Sequence, residues 1–480
     1  MSGLRPISAN IRALTLVISV AFLATSVGVG YWTVVAAGDL SADPFNPRLL
    51  AALTDRARGS ILAADGTPLA QSVRTPDGLR RRYTDRSLAQ LIGYASLKYG
   101  AAGVEAAYAE SLIGRDPADP ISQWRSRYLL EHPDPAAVRL GIVPAVQRAA
   151  VAALGGRRGA VIVLDPRTGA IVASVSVPSF DANAIVDPQQ QDVAWQQVSG
   201  NTDRPLLDRA SLGLYPPGST FKLITAAAAL ESGLDPKAKV RVDDPFQADP
   251  SWGSYFVRSS SGAHGDFDLS LAFQRSENIY FAKVALQIGG GRLAEYASRF
   301  GIGTAPSCDL PAARGQLSNS GQLDRPTLVA DTAFGQGELL VSPLQMALVA
   351  ATIARGGSLP TPHAATAVLD ARGDPLRLVD PGTAGQAIRT DTAATIAAAM
   401  VAAVEAPGAF AFGARIPGVH VAGKTGTAEV PSGAPDGWFV GFAPAEAATA
   451  VVAVVIENTP RGGEDAAPVG AVVLRAALGR

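Results

Sequence analysis

Lysine is scarce in this 480-residue chain, with six against 35 arginines. Cysteine is scarcer. The single thiol, Cys308, cannot close an internal disulfide, so cysteine usage carries no information on compartment. The four histidines (His132, His264, His363 and His420) are scattered without metal-ligand spacing. That argues against a metal cofactor, and each histidine reads as surface or core filler; no cofactor of another kind is expected. A net charge of −1 leaves no electrostatic case for nucleic-acid binding. Long low-complexity tracts and internal repeats are also missing. The length suits two or three domains, each with its own core.

The lysine deficit gives weight to where the lysines fall. Arginine stays charged in proteins, whereas a desolvated lysine can lose its proton and act as a base. Lys222 closes Ser219-Thr220-Phe221-Lys222, and Lys424 opens Lys424-Thr425-Gly426-Thr427.

Residues Ala13 to Gly38 form a run of 26 without a charge. A helix needs about 20 apolar residues to cross a bilayer. Tyr31 and Trp32 fall near its far end, where amphipathic rings prefer the interface. Arg5 and Arg12 precede the run and Asp39 and Asp43 follow it, so the positive-inside rule puts the N-terminus in the cytoplasm and the rest outside. A cleaved signal peptide, with Val35-Ala36-Ala37 as the cleavage site, competes with this. A signal core is shorter, about 7–15 residues, so an uncleaved single-pass anchor is expected. The organisation expected is a cytoplasmic tail over 1–12, an anchor over 13–38, a pedestal over 39–156 and a larger domain over 157–480.

The pedestal carries no catalytic constellation, and Ser87 to Tyr99 and Ala101 to Leu112 read as short amphipathic segments. From Gly159 the texture changes. Ala160 to Leu164 and Ala170 to Val177 flank an Asp-Pro-Arg-Thr-Gly turn and predict a hairpin. Ala182 to Leu207 reads as a polar loop. Helices are predicted over Ser219 to Ser232, stopped by Gly233, and over Ser270 to Ile288, Pro343 to Arg355 and Thr390 to Val404. Strands return around Lys424, at Trp438 to Phe442 and at Thr449 to Glu457, followed by a helix over Asp465 to Leu478. Two strands, a helical insert, three strands and a helix imply an α+β fold, an antiparallel sheet flanked by helices.

Serine chemistry needs a base, because a hydroxyl is inert at neutral pH. In Ser-x-x-Lys at a helix start the two residues share one face, so Lys222 can reach the Ser219 hydroxyl. The helix N-terminus favours a developing oxyanion. A surface lysine after an N-cap serine would give the same four letters. Ser276-Glu277-Asn278 offers a hydroxyl and an amide that could relay a proton and hold a substrate amide. The pattern is cheap, since Ser8-Ala9-Asn10 and Ser199-Gly200-Asn201 also fit it. In the alternating strand around Lys424, Lys424 and Gly426 point one way and Thr425 and Thr427 the other. Gly426 would leave room for a ligand backbone along an edge strand.

In the order Ser-x-x-Lys, Ser-x-Asn, Lys-Thr-Gly, the chain resembles the class B penicillin-binding proteins. Arg58-Gly59-Ser60-Ile61, Gly103-Val104-Glu105, Gly335-Gln336-Gly337, Ser342-Pro343-Leu344-Gln345 and Trp438 to Pro444 extend the likeness over nearly the whole chain. Asp436-Gly437 departs from it, since relatives often carry a histidine before the tryptophan. The resemblance implies a peptidoglycan D,D-transpeptidase with possible carboxypeptidase side activity. Ser219 would be the nucleophile and Lys222 its base, with Ser276 and Lys424 in the proton route. Asn278, Thr425, Gly426 and Thr427 would bind substrate, and the N–H groups of Ser219 and Thr427 would form the oxyanion hole. It also implies stem peptides and β-lactams as ligands and a polytopic membrane glycan polymerase as partner. A β-lactamase or β-lactam sensor, and a non-catalytic scaffold that activates a polymerase, are the alternatives.

Overall fold

The computed structural model describes residues 7–36, 57–76, 78–114, 134–431 and 433–480. An α-helix over Ile7–Gly30 continues as a wider turn over Tyr31–Val35. Its stretch Ile11–Val35 is long and apolar enough to cross a bilayer. Apolar side chains such as Leu16, Phe22 and Leu23 stand exposed on it, as a lipid-facing helix requires. Arg5, Ala37, Asp39 and Asp43 lie outside the described residues, as do the side chains of Ser8 and Asn10.

The larger unit is built on a five-stranded antiparallel sheet. Its spatial order is Ala422–Ala428, Asp436–Ala443, Ala450–Ile456, Gly159–Leu164, Ile171–Val177. The first and last parts of the domain sequence therefore meet at its centre. Both faces are apolar because both are covered. On the strand Ala450–Ile456, Val451, Ala453 and Val455 join a core shared with the helix Pro343–Ala354. Val452, Val454 and Ile456 point the other way, towards Ala466, Val473 and the helix Gly463–Ala477. The helix Pro144–Leu154 also packs on that second face. The strand carrying Lys424 is an edge of the sheet, with one side unpaired.

A second sheet of six strands holds the pedestal, in the order Pro375–Leu378, Ala365–Leu369, Ala137–Leu140, Ile61–Leu62, Pro68–Thr75, Gly78–Tyr83. Two of its strands thus come from far along the chain and tie the pedestal to the larger unit.

Three expectations change. The stretch Ala182 to Leu207 is not a plain loop. Asp181 caps a helix over Ala182–Val186, and a second runs over Gln191–Ser199. Trp195 stacks on Tyr99 and meets Tyr94 edge-on, so aromatic burial secures a segment whose polar composition suggests none. Ser270 to Ile288 is not one helix. It breaks into Leu269–Gln274 and Asn278–Ile288, with Ser276 left-handed at φ 51°. The amphipathic segments of the pedestal shrink to short pieces, Ala89–Ile92, Gly103–Ala107 and Ala109–Leu112.

Glu105 is fully buried and joins the pedestal's segments. Arg58 Nε donates to one carboxylate oxygen at 2.5 Å and Arg81 Nε to the other at 2.6 Å. Arg81 Nη1 also reaches the carbonyl of Gly59 at 2.9 Å. Removing one member of a buried ion cluster leaves uncompensated charge. Glu105→Ala is therefore expected to destabilise the protein by about 3–5 kcal/mol, measured as a lowered midpoint in denaturant for the full chain in detergent. A change within about 0.5 kcal/mol would mean the cluster is incidental.

Candidate active site

The nucleophile's turn is assembled from main-chain contacts. Gly218–Phe221 is a 3₁₀ turn that runs into the α-helix Lys222–Glu231. Gly218 N–H donates to Gly335 O at 2.9 Å, Thr220 Oγ1 to Pro217 O at 2.7 Å, and Trp438 Nε1 to Pro216 O at 2.9 Å. These bonds anchor the turn to the sheet and to the loop after the helix Pro326–Ala333. Ser219 is half-buried and opens onto a cleft of about 640 Å³, which Ser276, Asn278, Thr425, Gly426 and Thr427 also line.

Behind Ser219 lie two buried amines. Lys222 Nζ donates to Ser276 O at 2.5 Å, to Asn278 Oδ1 at 2.7 Å and to Ser276 Oγ at 3.3 Å. Lys424 Nζ donates to the same Ser276 Oγ at 2.8 Å and to Thr425 O at 3.0 Å. Burial pushes the Lys222 amine well below the ordinary lysine value. The charge of Lys424 pushes it further, and Glu277 opposes both. Burial brings Lys424 down to about 7.

The structure thus brings together all eight residues singled out from sequence: Ser219, Lys222, Ser276, Asn278, Lys424, Thr425, Gly426 and Thr427. It alters two details. Among the described residues no hydrogen bond joins Lys222 to Ser219. The amine is turned to three acceptors at the helix break, the pattern of an ammonium with three donors. Gly426 also has a different reason for being glycine. A Cβ there would lie 2.7 Å from Pro217 O and 3.1 Å from Thr220 Cγ2, so it is the nucleophile's own turn that needs the space. Thr425 and Thr427 face the start of the helix Gly463–Ala477, where Thr427 Oγ1 accepts from Gly463 N–H at 3.2 Å.

The rival Ser199-Gly200-Asn201 is exposed at a helix end, away from the cleft. Asp436 is buried, accepts from Asn458 N–H at 3.0 Å, and lines a separate cavity with Arg158 and Glu457. Its departure from the family pattern therefore falls outside the cleft. Sequence reasoning missed the cleft's roof. Tyr255, Arg258, Ser259 and Ser260 line it, and the Tyr255 hydroxyl donates to Asp331 Oδ1. Burial raises the Asp331 carboxyl. No spacing rule links 255–260 to Ser219. Among the described residues no cluster of three or more His, Cys, Asp or Glu could hold a metal.

A half-exposed serine, buried amines behind it and an unpaired strand beside it define a serine acyl-transfer enzyme. Residues 159–475 match the penicillin binding protein transpeptidase domain, and residues 58–138 the penicillin binding protein A dimerisation domain. The chain is 35% identical to the peptidoglycan D,D-transpeptidase PbpA of Mycolicibacterium smegmatis, over 93% of this chain and 94% of the relative. It is 33% identical to PbpA of Mycobacterium tuberculosis, over 99% of each. The crystal structure of penicillin-binding protein A from M. tuberculosis as a ceftriaxone acyl-enzyme superposes with a TM-score of 0.82. That match covers 89% of this chain and all of the other, at 31% identity. The chain belongs to the penicillin-binding protein transpeptidase family.

The depressed lysine has a thermodynamic consequence. Between about pH 7 and the ordinary lysine value near 10.4, the unfolded chain carries a proton on residue 424 that the folded chain has lost. Folding stability therefore rises with pH across that window. Lys424→Met is expected to reduce this slope by about one proton in denaturant titrations at pH 7 and 9.5. An unchanged slope would contradict the burial account.

Proposed function

We propose that this protein is a peptidoglycan D,D-transpeptidase working through an acyl-enzyme on Ser219. The observation that carries the reading is the pair of buried amines sharing the Ser276 hydroxyl beside the cleft that Ser219 lines. Ser219 Oγ attacks the carbonyl carbon between the two D-alanines of a stem peptide, and the neutral Lys222 amine takes its proton. The N–H of Ser219, in the first turn of its helix and without an intrahelical acceptor, and that of Thr427 would receive the oxyanion. As the C–N bond breaks, a proton reaches the leaving nitrogen through Ser276, backed by Lys424. D-Alanine leaves. An amine of a second stem peptide then attacks the ester, Ser219 recovers its proton, and a cross-link forms. Thr425 and Thr427 would hold the donor's terminal carboxylate near Lys424, Gly426 the close approach of strand and turn, and Asn278 the substrate amide. A β-lactam would enter as a mimic of the dipeptide and stay as an ester. Water in place of the amine would give carboxypeptidase activity.

The apolar helix Ile11–Val35 supports a single-pass anchor over residues 13–38, and Arg5 and Arg12 ahead of that run favour residues 1–12 in the cytoplasm. The pedestal over 39–156 would hold the catalytic domain over 157–480 beside its substrate on the outer face. A polytopic glycan polymerase is the partner this arrangement suits.

Mass spectrometry of the penicillin-treated protein tests the reading. The peptide carrying Ser219 should gain a penicilloyl group that persists for many minutes. Ser219→Ala should lose it, and Lys222→Ala should slow its formation by about 10²–10⁴-fold. Turnover of the adduct in seconds would point to a β-lactamase. Cross-linking by Ser219→Ala in a reconstituted assay would leave only the scaffold reading.

A further inference from the structure

The residue between the relay serine and the amide has a role that its pattern does not assign. Glu277 is fully buried. Oε1 accepts from Ile279 N–H at 3.1 Å, capping the helix Asn278–Ile288. An aspartate, asparagine or serine would cap as well. The longer side chain does more, because Oε2 reaches the roof of the cleft and accepts from Ser259 Oγ at 2.6 Å and Ser261 Oγ at 3.4 Å. Between those two, Ser260 Oγ donates to Ser276 O at 2.5 Å, the same carbonyl that Lys222 uses. Three successive serines thus grip the helix break from above. No cation stands at ion-pair distance from Glu277 among the described residues. Burying an unpaired carboxylate is costly unless something nearby uses its charge. The charged groups around the break are Lys222 from its helix, Lys424 from the edge strand, exposed Arg275 in the break itself, and Arg258 and Asp244 on the roof loop that bonds Asn278 and Ser259. Of these, the Lys222 amine bonds the residues on both sides of Glu277, Ser276 O and Asn278 Oδ1, and the Glu277 carboxylate favours its protonated form.

We propose that Glu277 is a positioning residue for acyl transfer. It ties the roof serines to the break, holds Ser276 in its left-handed turn, and supplies the counter-charge to the Lys222 amine. The inference rests on the acyl-enzyme reading above. A left-handed conformation is unfavourable for a residue with a side chain and persists only where surrounding bonds impose it. Here those bonds come from Ser260, Lys222 and the cap at Glu277.

The test is the pH profile of the acylation rate of the full chain in detergent, using a chromogenic β-lactam, with melting temperature followed in parallel. Charge and geometry separate by variant. Glu277→Gln keeps an acceptor and loses the charge, so the acid limb of the profile should move to lower pH. Ser260→Ala keeps the charge and loosens Ser276, so the plateau should fall by roughly 10-fold to 10²-fold with the limb in place. Glu277→Asp keeps the charge on a shorter arm, so the plateau should fall with no shift of the limb, and it carries the test if Glu277→Gln does not fold. A Glu277→Gln limb at the wild-type pH, a Glu277→Asp limb displaced to lower pH, or a Ser260→Ala plateau equal to wild type would each overturn the proposal. Absence of any adduct on Ser219 in the unaltered protein would instead overturn the acyl-enzyme reading on which it rests.

Discussion

Two buried amines converge on one serine hydroxyl, and the rest of the site is arranged to make that possible. Lys222 and Lys424 come from a helix and a strand more than two hundred residues apart, yet both donate to Ser276 Oγ. Inside a protein two ammonium groups this close repel strongly and lack the water that would solvate them. The outcome is chemically useful, because it yields an amine able to accept a proton. It also demands structure. The hydroxyl must stand between the two nitrogens, and a continuous helix would not present it there. The break at residues 275–277, with Ser276 left-handed, is what puts it in place.

The same demand explains the tight meeting of turn and edge strand. A side chain at Gly426 would strike the Pro217 carbonyl, one at Gly335 would lie 1.9 Å from Gly218 O, and one at Gly218 would lie 2.6 Å from Thr427 O. These three glycines let the Ser219 turn, the edge strand and the loop after Pro326–Ala333 approach to backbone contact. On this side the cleft is bounded by main chain in close contact. Trp438, buried in the neighbouring strand, completes the setting by bonding Pro216 O.

Much of this was legible in the sequence. The five sheet strands and most of the flanking helices follow from alternation and alanine-rich runs, and the two rare lysines point to Ser219, Lys222 and the strand at Lys424, whereas Ser276 and Asn278 stand out from two equal patterns only through the resemblance to penicillin-binding proteins. What escaped did so for physical reasons. Ser270 to Ile288 has uniform helical composition, and only the tertiary bonds to Ser276 and Glu277 break it. Ala182 to Leu207 has the polarity of a loop, but Trp195 anchors it to tyrosines a hundred residues earlier. The strands Ala365–Leu369 and Pro375–Leu378 complete the pedestal sheet across more than two hundred residues of intervening chain, a pairing no local pattern encodes. The roof serines 259–261 read as an ordinary polar loop until their partners are seen.

The central claim is that the two site lysines are held where an amine gives up its proton early. Six lysines make it directly measurable. With lysine labelled at the ε-carbon, NMR of the full chain in detergent would follow each amine through pH, with Lys222→Met and Lys424→Met assigning two resonances. The account predicts that both amines lose their protons below the ordinary lysine range, with Lys424 at its midpoint near 7. If both titrate with the exposed lysines, the amines are not desolvated as described, and the account of the site is wrong.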